Sequence, residues 1–484
     1  MGDEFDFTRE LDATLKAIGL SRESAVSGLT VTGCHPYVKS TLRMSAAIGV
    51  PLLASAVGAA QIWQLRTGRA QRLSLHLGQG MHRMSPFLGG LATLNGYPSS
   101  MGSLAGLSGP APAIWDFYRT ADGRWAIPIA CYPRTRDALL DLLECAHTRE
   151  HIAAAVARWD AAALEEAAAE RAVPLAVART REEFLAHPQG RAVLAEPLVA
   201  VERIADGPVV PLPTGPRPLS SLRCLQFTHI LAGTATGRTL AEYGADVLHV
   251  CEPDSFDHEI IWHESAGGMR SARLDLHTRG AAGRNTFDRL LRDADVFVHN
   301  YRPGKAERLG LTAEECAAAA PGLIHCSLSA YGHTGPWRDR GGFDQQAQAL
   351  TGISLREGGG ELPKLPPGRI LCDYIASYLA AAGIMAAAVR RAHEGGSYAV
   401  RVSLAGVANW CWELGSWKPE EVAALAEDAL PPAPEWQTRT TPLGALRHTV
   451  PPVRLSETPA GYDDPVLVPR GSSAPQWRPL PVGP

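Results

Sequence analysis

The sequence predicts an α/β protein with a large, doubly wound parallel-sheet domain and a smaller α/β domain, and three observations carry that expectation. From Leu222 onward, short aliphatic runs alternate with helical patterns: LRCLQF, a helix through Thr234–Tyr243, VLHV, a helix through Gly283–Arg292, VFVHN and LIHCSLS. Such alternation implies parallel strands joined by helices that cover both faces of the sheet. Ala113–Arg191 has a different character, in which WDFYRTADGRWAIPIACY reads as a hairpin turning at Asp122-Gly123, followed by amphipathic helices around Asp137–Ala146 and Ala161–Arg171. Finally, 484 residues exceed what one ordinary core uses, since domains run to about 100–200 residues.

Five segments follow in chain order. Residues 1–112 contain Ala46–Leu77, which aligns without a gap to Asp373–Leu404; each stretch reads as a long Ala-rich helix, a basic patch, a glycine turn at Gly68 or Gly395, and a short strand carrying Ser-Leu near its end. This segment is expected to be a degenerate copy of the second half of the large domain. The small α/β domain is placed at 113–205. Residues 206–221 read as a linker, because Asp206–Leu219 is dense in Pro and Gly and carries no period. The large domain occupies 222–420, and the Pro- and Trp-rich remainder, 421–484, is expected to lie over the other domains as an extended strap.

Several function classes are disfavoured by composition. With 46 basic against 50 acidic residues no global field draws in nucleic acid or an anionic membrane. Nine scattered cysteines with no C-x-x-C pair suggest a reducing compartment and no structural zinc. The acidic stretch Met1–Glu10 does not have the pattern of a secretory signal, so a cytoplasmic protein is expected. The apolar run Ala46–Ala60 is short, Ala-rich and interrupted by Pro51, and reads as a buried helix rather than a membrane span of about 20 residues. Leu225–Pro253 imitates a dinucleotide fingerprint but offers only Gly233 and Gly237 in its turn. His263-Glu264 lacks the second His of a zincin, and neither a phosphate-binding G-x-x-x-x-G-K-[ST] loop nor a G-x-S-x-G elbow is present. No metal site and no permanently bound cofactor are expected.

GADVLHVCEP (Gly244–Pro253), RLDLHT (Arg273–Thr278), ADVFVHNYRPGKAERLGL (Ala294–Leu311), LIHCSLSAYGHTGPW (Leu323–Trp337) and GGFDQQAQALTG (Gly341–Gly352) resemble, in order and spacing, the large domain of family III CoA-transferases. The resemblance covers most of Leu222–Val407. YRTADGRW and ERAVPLAVARTREEFLAHPQGR (Glu170–Arg191) are similar to the family's second domain, and Thr441–Ala460 to its C-terminal return, although here the small domain precedes the large-domain half. The family's members form interlocked dimers whose site lies between the large domain of one chain and the small domain of another. A rearranged chain of this kind is therefore expected to be a homodimer or a pseudo-dimeric monomer.

The resemblance implies an acyl-CoA:carboxylate CoA-transferase, with coenzyme A and acyl-CoA as substrate and a carboxylic acid as acceptor. It places the nucleophilic carboxylate at Asp373 in RILCDYIASYL, attacking the thioester to form a mixed anhydride and then an enzyme-bound CoA thioester. Read from its position alone, Asp373 is more simply a helix N-cap. The position matching Asp373 in the first copy is Ala46, which cannot attack a thioester. For CoA the resemblance points to Leu274, Asp275, Leu276 and His277 at the adenine-side strand edge. It places Asn300, Tyr301, Arg302 and Arg308 around the phosphates, where guanidinium groups offer forked donors, and Gly342, Phe343 and Asp344 beside the thioester.

Three departures from the family pattern bear on function. Glu252 and His277 stand where the family usually has cations, and an acidic Glu252 is expected to weaken CoA binding by repulsion. Phe343 stands where the family's racemases have a His, which disfavours racemisation. A catalytically degenerate scaffold and a racemase or isomerase are the competing readings. The acyl group stays open among carnitine-like, dicarboxylic, aromatic and steroid-derived acids.

Overall fold

The structure, a computed structural model, describes residues 5–85, 88, 92–98, 113–212, 215–229, 231–276 and 281–479. Its centre is a seven-stranded sheet built from β1 (Ala200–Ala205), β2 (Arg223–Phe227), β3 (Asp246–Cys251), β4 (Arg270–Arg273), β5 (Val296–His299), β6 (Ile324–Ser329) and β7 (Ser397–Ser403). The strands lie in the order β4-β3-β2-β5-β6-β7-β1. All neighbours are parallel except β1, which runs antiparallel to β7 at the edge. The chain winds outward from β2 through β3 to β4, then returns to the other side of β2 and winds outward again through β5, β6 and β7. The direction reverses between β2 and β5. Strands buried on both faces read as continuous apolar runs, which is why VLHV and VFVHN are nearly free of charge.

Helices cover this sheet. The principal ones are α1 (Met44–Thr67), α2 (Ala232–Glu242), α3 (Asp344–Thr351) and α4 (Cys372–Glu394). Both α1 and α4 are long and apolar enough to cross a bilayer, but 94% of the apolar window of each is buried inside the protein. They pack lengthwise on one another, so an all-round apolar surface marks them as the centre of a core. The apolar run seen in sequence is therefore part of a longer helix that continues through Pro51.

The domain boundaries read from sequence need three adjustments. β1, assigned to the small domain, is an edge strand of the large sheet. Residues 5–85 share a single continuous hydrophobic core with the large domain, from Phe7 and Leu11 through α1 to Ile375 and Leu379 of α4, because α1 has no polar face to present elsewhere. The C-terminal segment is more than a strap. Its hairpin Trp436–Thr441 and Gly444–Thr449 pairs with Thr93–Leu94, and Arg454–Leu455 pairs with Gln71–His76. Further on, Ser473 N–H donates to Ser271 O at 2.6 Å and Gly471 N–H to Ser271 Oγ at 2.8 Å, covering the β4 edge that would otherwise stay unpaired.

The two stretches that align in sequence adopt the same local order. Met44–Thr67 ends at Gly68, the strand Gln71–His76 follows, and a helix begins at Leu77; Cys372–Glu394 ends at Gly395, β7 follows, and a helix begins at Leu404. The first strand, however, pairs in parallel with Val26–Thr32 in a separate three-stranded sheet.

The small domain has its own core around Leu139, Leu143, Ile152, Val156 and Leu164. Its hairpin, Tyr118–Arg119 against Trp125–Pro128, turns at Asp122-Gly123 with Gly123 at φ +80°, where glycine alone meets no steric penalty. Leu175–Val177 adds a third strand, and the predicted helices occupy Pro133–Leu143 and Ala161–Glu170.

Candidate active site

A cleft of about 780 Å³ lies where this small domain meets the carboxyl ends of the large sheet. His229 follows β2, Glu252 follows β3, Asn300 to Arg302 follow β5, and Ala330 follows β6; all line the cleft. Tyr132, Arg134, Thr135 and Pro174 close it from the small domain. Open α/β sheets bind ligands at the carboxyl ends of the strands where the winding reverses, and the β2/β5 reversal sits here. Asn300 locks that point: its Oδ1 accepts from His229 N–H at 2.8 Å, and its Nδ2 donates to His229 O at 2.8 Å.

At the floor of the cleft is Asp373, in the first turn of α4 and 9% exposed. It is not the helix cap. The leading amides of a helix need acceptors, and here Asp344, from the start of α3, accepts from three N–H groups at the start of α4. Its carboxylate accepts from Leu371 N–H at 3.1 Å, Cys372 N–H at 2.5 Å and Asp373 N–H at 2.9 Å, and from the Gln348 side-chain amide. Asp373 is thereby released from capping. Among the described residues no group donates a hydrogen bond to its carboxylate, and burial, reinforced by the nearby charge of Asp344, pushes its titration well above the usual carboxylate range. Buried carboxylates ordinarily have donors, so this one is held poised, facing a cleft.

The outer part of the cleft is cationic. Arg302 caps the short helix Pro303–Leu309, Lys305 and Arg308 lie along it, and Arg134 lines the same cleft from the small domain. Burial, then repulsion by Arg308, lowers the titration of the Arg302 guanidinium, and burial lowers that of the Lys305 ammonium. Arg302 Nη1 donates to Asp339 O at 3.0 Å, Arg340 is paired with Glu166 at 2.6 Å, and Arg338 with Glu307 at 2.5 Å. Arg134 and Arg308 have no carboxylate partner among the described residues. Glu252 lies 4.0 Å from Lys305 Nζ, so its charge is met by a cation that the spacing Arg302, Lys305, Arg308 would have revealed in sequence.

Deeper in, His229 Nε2 and Tyr301 Oη are 2.9 Å apart, His229 Nδ1 lies 3.7 Å from Asp257, and Tyr132 Oη donates to Asp257 at 3.0 Å. Tyr132 and Phe343 stack with centroids 6.0 Å apart and planes 9° apart.

Of the residues singled out by sequence, Asp373, Asn300, Tyr301, Arg302, Arg308, Gly342 and Phe343 meet around this cleft. Asp344 does not line it; its carboxylate is engaged by the α4 amides. Leu274 and Leu276 are core residues, 7% and 1% exposed, packed with Phe287 beyond the end of β4, and neither they nor the exposed Asp275 reach the cleft. Alternation sends the two leucines inward. Asn300 and Tyr301 touch the cleft with their polar atoms already engaged by His229. His277 lies outside the described residues. Sequence reasoning misses Tyr132, Arg134, His229 and Lys305; the first two carry no local signal, because only the packing of the two domains brings them to Asp373.

Fold and site together define an α/β protein with a cation-lined cleft ending on an undonated, buried carboxylate. Residues 219–426 match the family model CoA-transferase family III. The chain is similar to the succinyl-CoA–L-malate CoA-transferase alpha subunit of Chloroflexus aurantiacus, 34% identical over 201 residues that make up 39% of this chain and 46% of the relative. It is 34% identical over 204 residues to the succinyl-CoA–D-citramalate CoA-transferase of Chloroflexus aurantiacus, covering 39% of this chain and 50% of the relative. With the human succinyl-CoA:glutarate CoA-transferase it shares 30% over 189 residues, 37% of this chain and 43% of the relative. The chain thus spans about half the length of the curated relatives it matches.

Proposed function

We propose that the chain is an acyl-CoA:carboxylate CoA-transferase in which Asp373 is the nucleophile. The observation that carries this reading is the Asp373 carboxylate, relieved of capping by Asp344, without a donor, at the end of a cationic cleft. Arg134, Lys305 and Arg308 supply the charge that a nucleotide's phosphates require. An Asp373 oxygen attacks the thioester carbonyl; the C–S bond breaks, CoA leaves as thiolate, and an aspartyl–acyl anhydride forms. The thiolate then attacks the aspartyl carbonyl, releasing the donor acid and leaving an aspartyl–CoA thioester. The acceptor carboxylate reverses both steps, so that the carboxylate of Asp373 is regenerated with no net uptake of water or protons.

The scaffold reading is favoured by Glu252, by His277 and by the altered first copy. The Glu252 part of that reading is weakened by Lys305, whose Nζ lies 4.0 Å away and meets its charge. Glu252→Gln is expected to release Lys305 toward the ligand and to lower the KM for acyl-CoA roughly fivefold, the order of a partly exposed ion pair, in steady-state kinetics at low salt. A racemase needs a free acid/base pair beside the α-carbon. The imidazole lining the cleft, His229, has both ring nitrogens directed at Asp257 and Tyr301, and the stacked Phe343 has none.

The reading extends to the two similar halves. The carboxylate and the small-domain wall of the cleft come from one polypeptide, and Ala46, in the position corresponding to Asp373, is fully buried. One chain is therefore read as a pseudo-dimer with a single reactive carboxylate, the covalent link giving the second domain a high effective concentration. The test of function is CoA exchange: incubated with an acyl-CoA and a second carboxylic acid, the protein should yield the second acid's CoA thioester without hydrolysis. Sustained failure across a broad panel of acids would leave the scaffold reading in place.

A further inference from the structure

A second and much drier cavity also reaches Asp373. Tyr132, Phe343 and Asp373 belong to the walls of both spaces, so the stacked rings and the carboxylate mark the junction between them. Past that junction the walls are Trp115, Ile129, Leu231, Ile261 and Ile370, drawn from both domains. No Lys, Arg or His is among the described residues that line it. Its polar groups are few: Gln345 Nε2 donates to Arg369 O at 3.2 Å, Tyr132 Oη donates to Asp257, burial pushes the Cys131 thiol up to about 11, and the Trp115 indole N–H is buried without a partner among the described residues.

Resting on the transferase reading above, we infer that this cavity takes the acyl tail and restricts donor and acceptor to short, uncharged aliphatic acids, in contrast to the dicarboxylic acids named for the relatives. A thioester carbonyl placed at Asp373 with its CoA in the cationic cleft directs its tail across the Tyr132–Phe343 junction into the dry side. A second carboxylate on that tail would be buried with no cation among the described residues to meet it; the Trp115 indole N–H, which has no partner among them, can donate to one oxygen but leaves the charge uncompensated, a large cost. The size sets the length. The cavity measures about 40 Å³, and because about 10–15 Å³ in this measure holds one water-sized group, there is space for roughly three methyl-sized groups. Propionyl, butyryl and isobutyryl groups fit; octanoyl and aryl groups do not.

The experiment compares acetyl-, propionyl-, butyryl-, isobutyryl-, octanoyl- and succinyl-CoA as donors to the wild-type protein, scoring both labelling of Asp373 and kcat/KM. The expected result is a maximum at three or four carbons, with succinyl-CoA slower by on the order of 100-fold, the penalty of an unpaired buried charge. Ile261→Arg, checked for retained CoA binding, should narrow that gap by tenfold or more by supplying the missing cation. Labelling by succinyl-CoA as efficient as by butyryl-CoA overturns the inference and leaves the transferase reading intact. No labelling by any donor, acetyl-CoA included, removes the transferase reading and the inference with it.

Discussion

Asp373→Asn is expected to abolish CoA transfer and, at neutral pH, to stabilise the fold. The impaired chemistry follows from removing the attacking oxygen: an amide cannot form the anhydride, and deletion of a covalent nucleophile costs roughly 10,000-fold or more. The stabilisation follows from the environment. Folding raises the titration of Asp373 above its ordinary value of 3.8, first by burial and then by the charge of Asp344. The folded state consequently holds this proton more tightly than the unfolded chain, so Asp373 costs nothing below the unfolded value and makes the fold progressively less stable as pH rises from there through the raised folded value. A neutral, nearly isosteric amide escapes that cost, on the order of 1 kcal/mol or more for a buried charge without donors. Thermal unfolding of the two proteins should differ little near pH 4 and favour the variant at pH 8. Activity has the opposite dependence. Because the reacting species is the carboxylate, the acid limb of the kcat/KM profile should lie well above that of an ordinary aspartate.

Charge reversal in the outer cleft is the second large effect. Arg308→Glu replaces a guanidinium with no carboxylate partner among the described residues by a carboxylate opposite Arg134 and close to Arg302, and is expected to raise the KM for acyl-CoA by roughly 100-fold, the order expected when a repulsion takes the place of one charge-assisted hydrogen bond. Two features separate this effect from damage to the fold. The KM should converge toward that of the wild type as salt screens the cleft, the Debye length falling to about 3 Å at 1 M, and kcat at saturating donor should change much less than KM, because Arg308 belongs to the outer cleft rather than to the carboxylate.

How far the sequence reveals this arrangement depends on whether the determinant is local. Strands such as VLHV and VFVHN and the hairpin at Asp122-Gly123 are legible because burial on both faces and left-handed turn geometry leave their mark within a few residues. Asp373, Arg302 and Arg308 are legible through the order of neighbouring segments. The role of Asp344 is not, because whether a carboxylate faces a ligand or the amides of a helix 28 residues later depends on the packing of α3 against α4. Leu274 and Leu276 turn inward for the same reason that alternating residues do along any strand continuation. Tyr132, Arg134 and the apolar wall at Trp115 and Ile129 reach the site only through the docking of the small domain on the large one. The acyl specificity therefore could not be read from either half alone.

The central claim is that Asp373 becomes covalently acylated, and intact-mass analysis after mixing the protein with butyryl-CoA and hydroxylamine addresses it directly. The expected result is one hydroxamate per chain, mapped by peptide sequencing to Asp373 and absent from Asp373→Asn, with no second modification in the N-terminal half, where Ala46 stands in the matching position. Transfer of CoA at full rate without a hydroxamate, or with one at another carboxylate, would show that Asp373 is not the nucleophile.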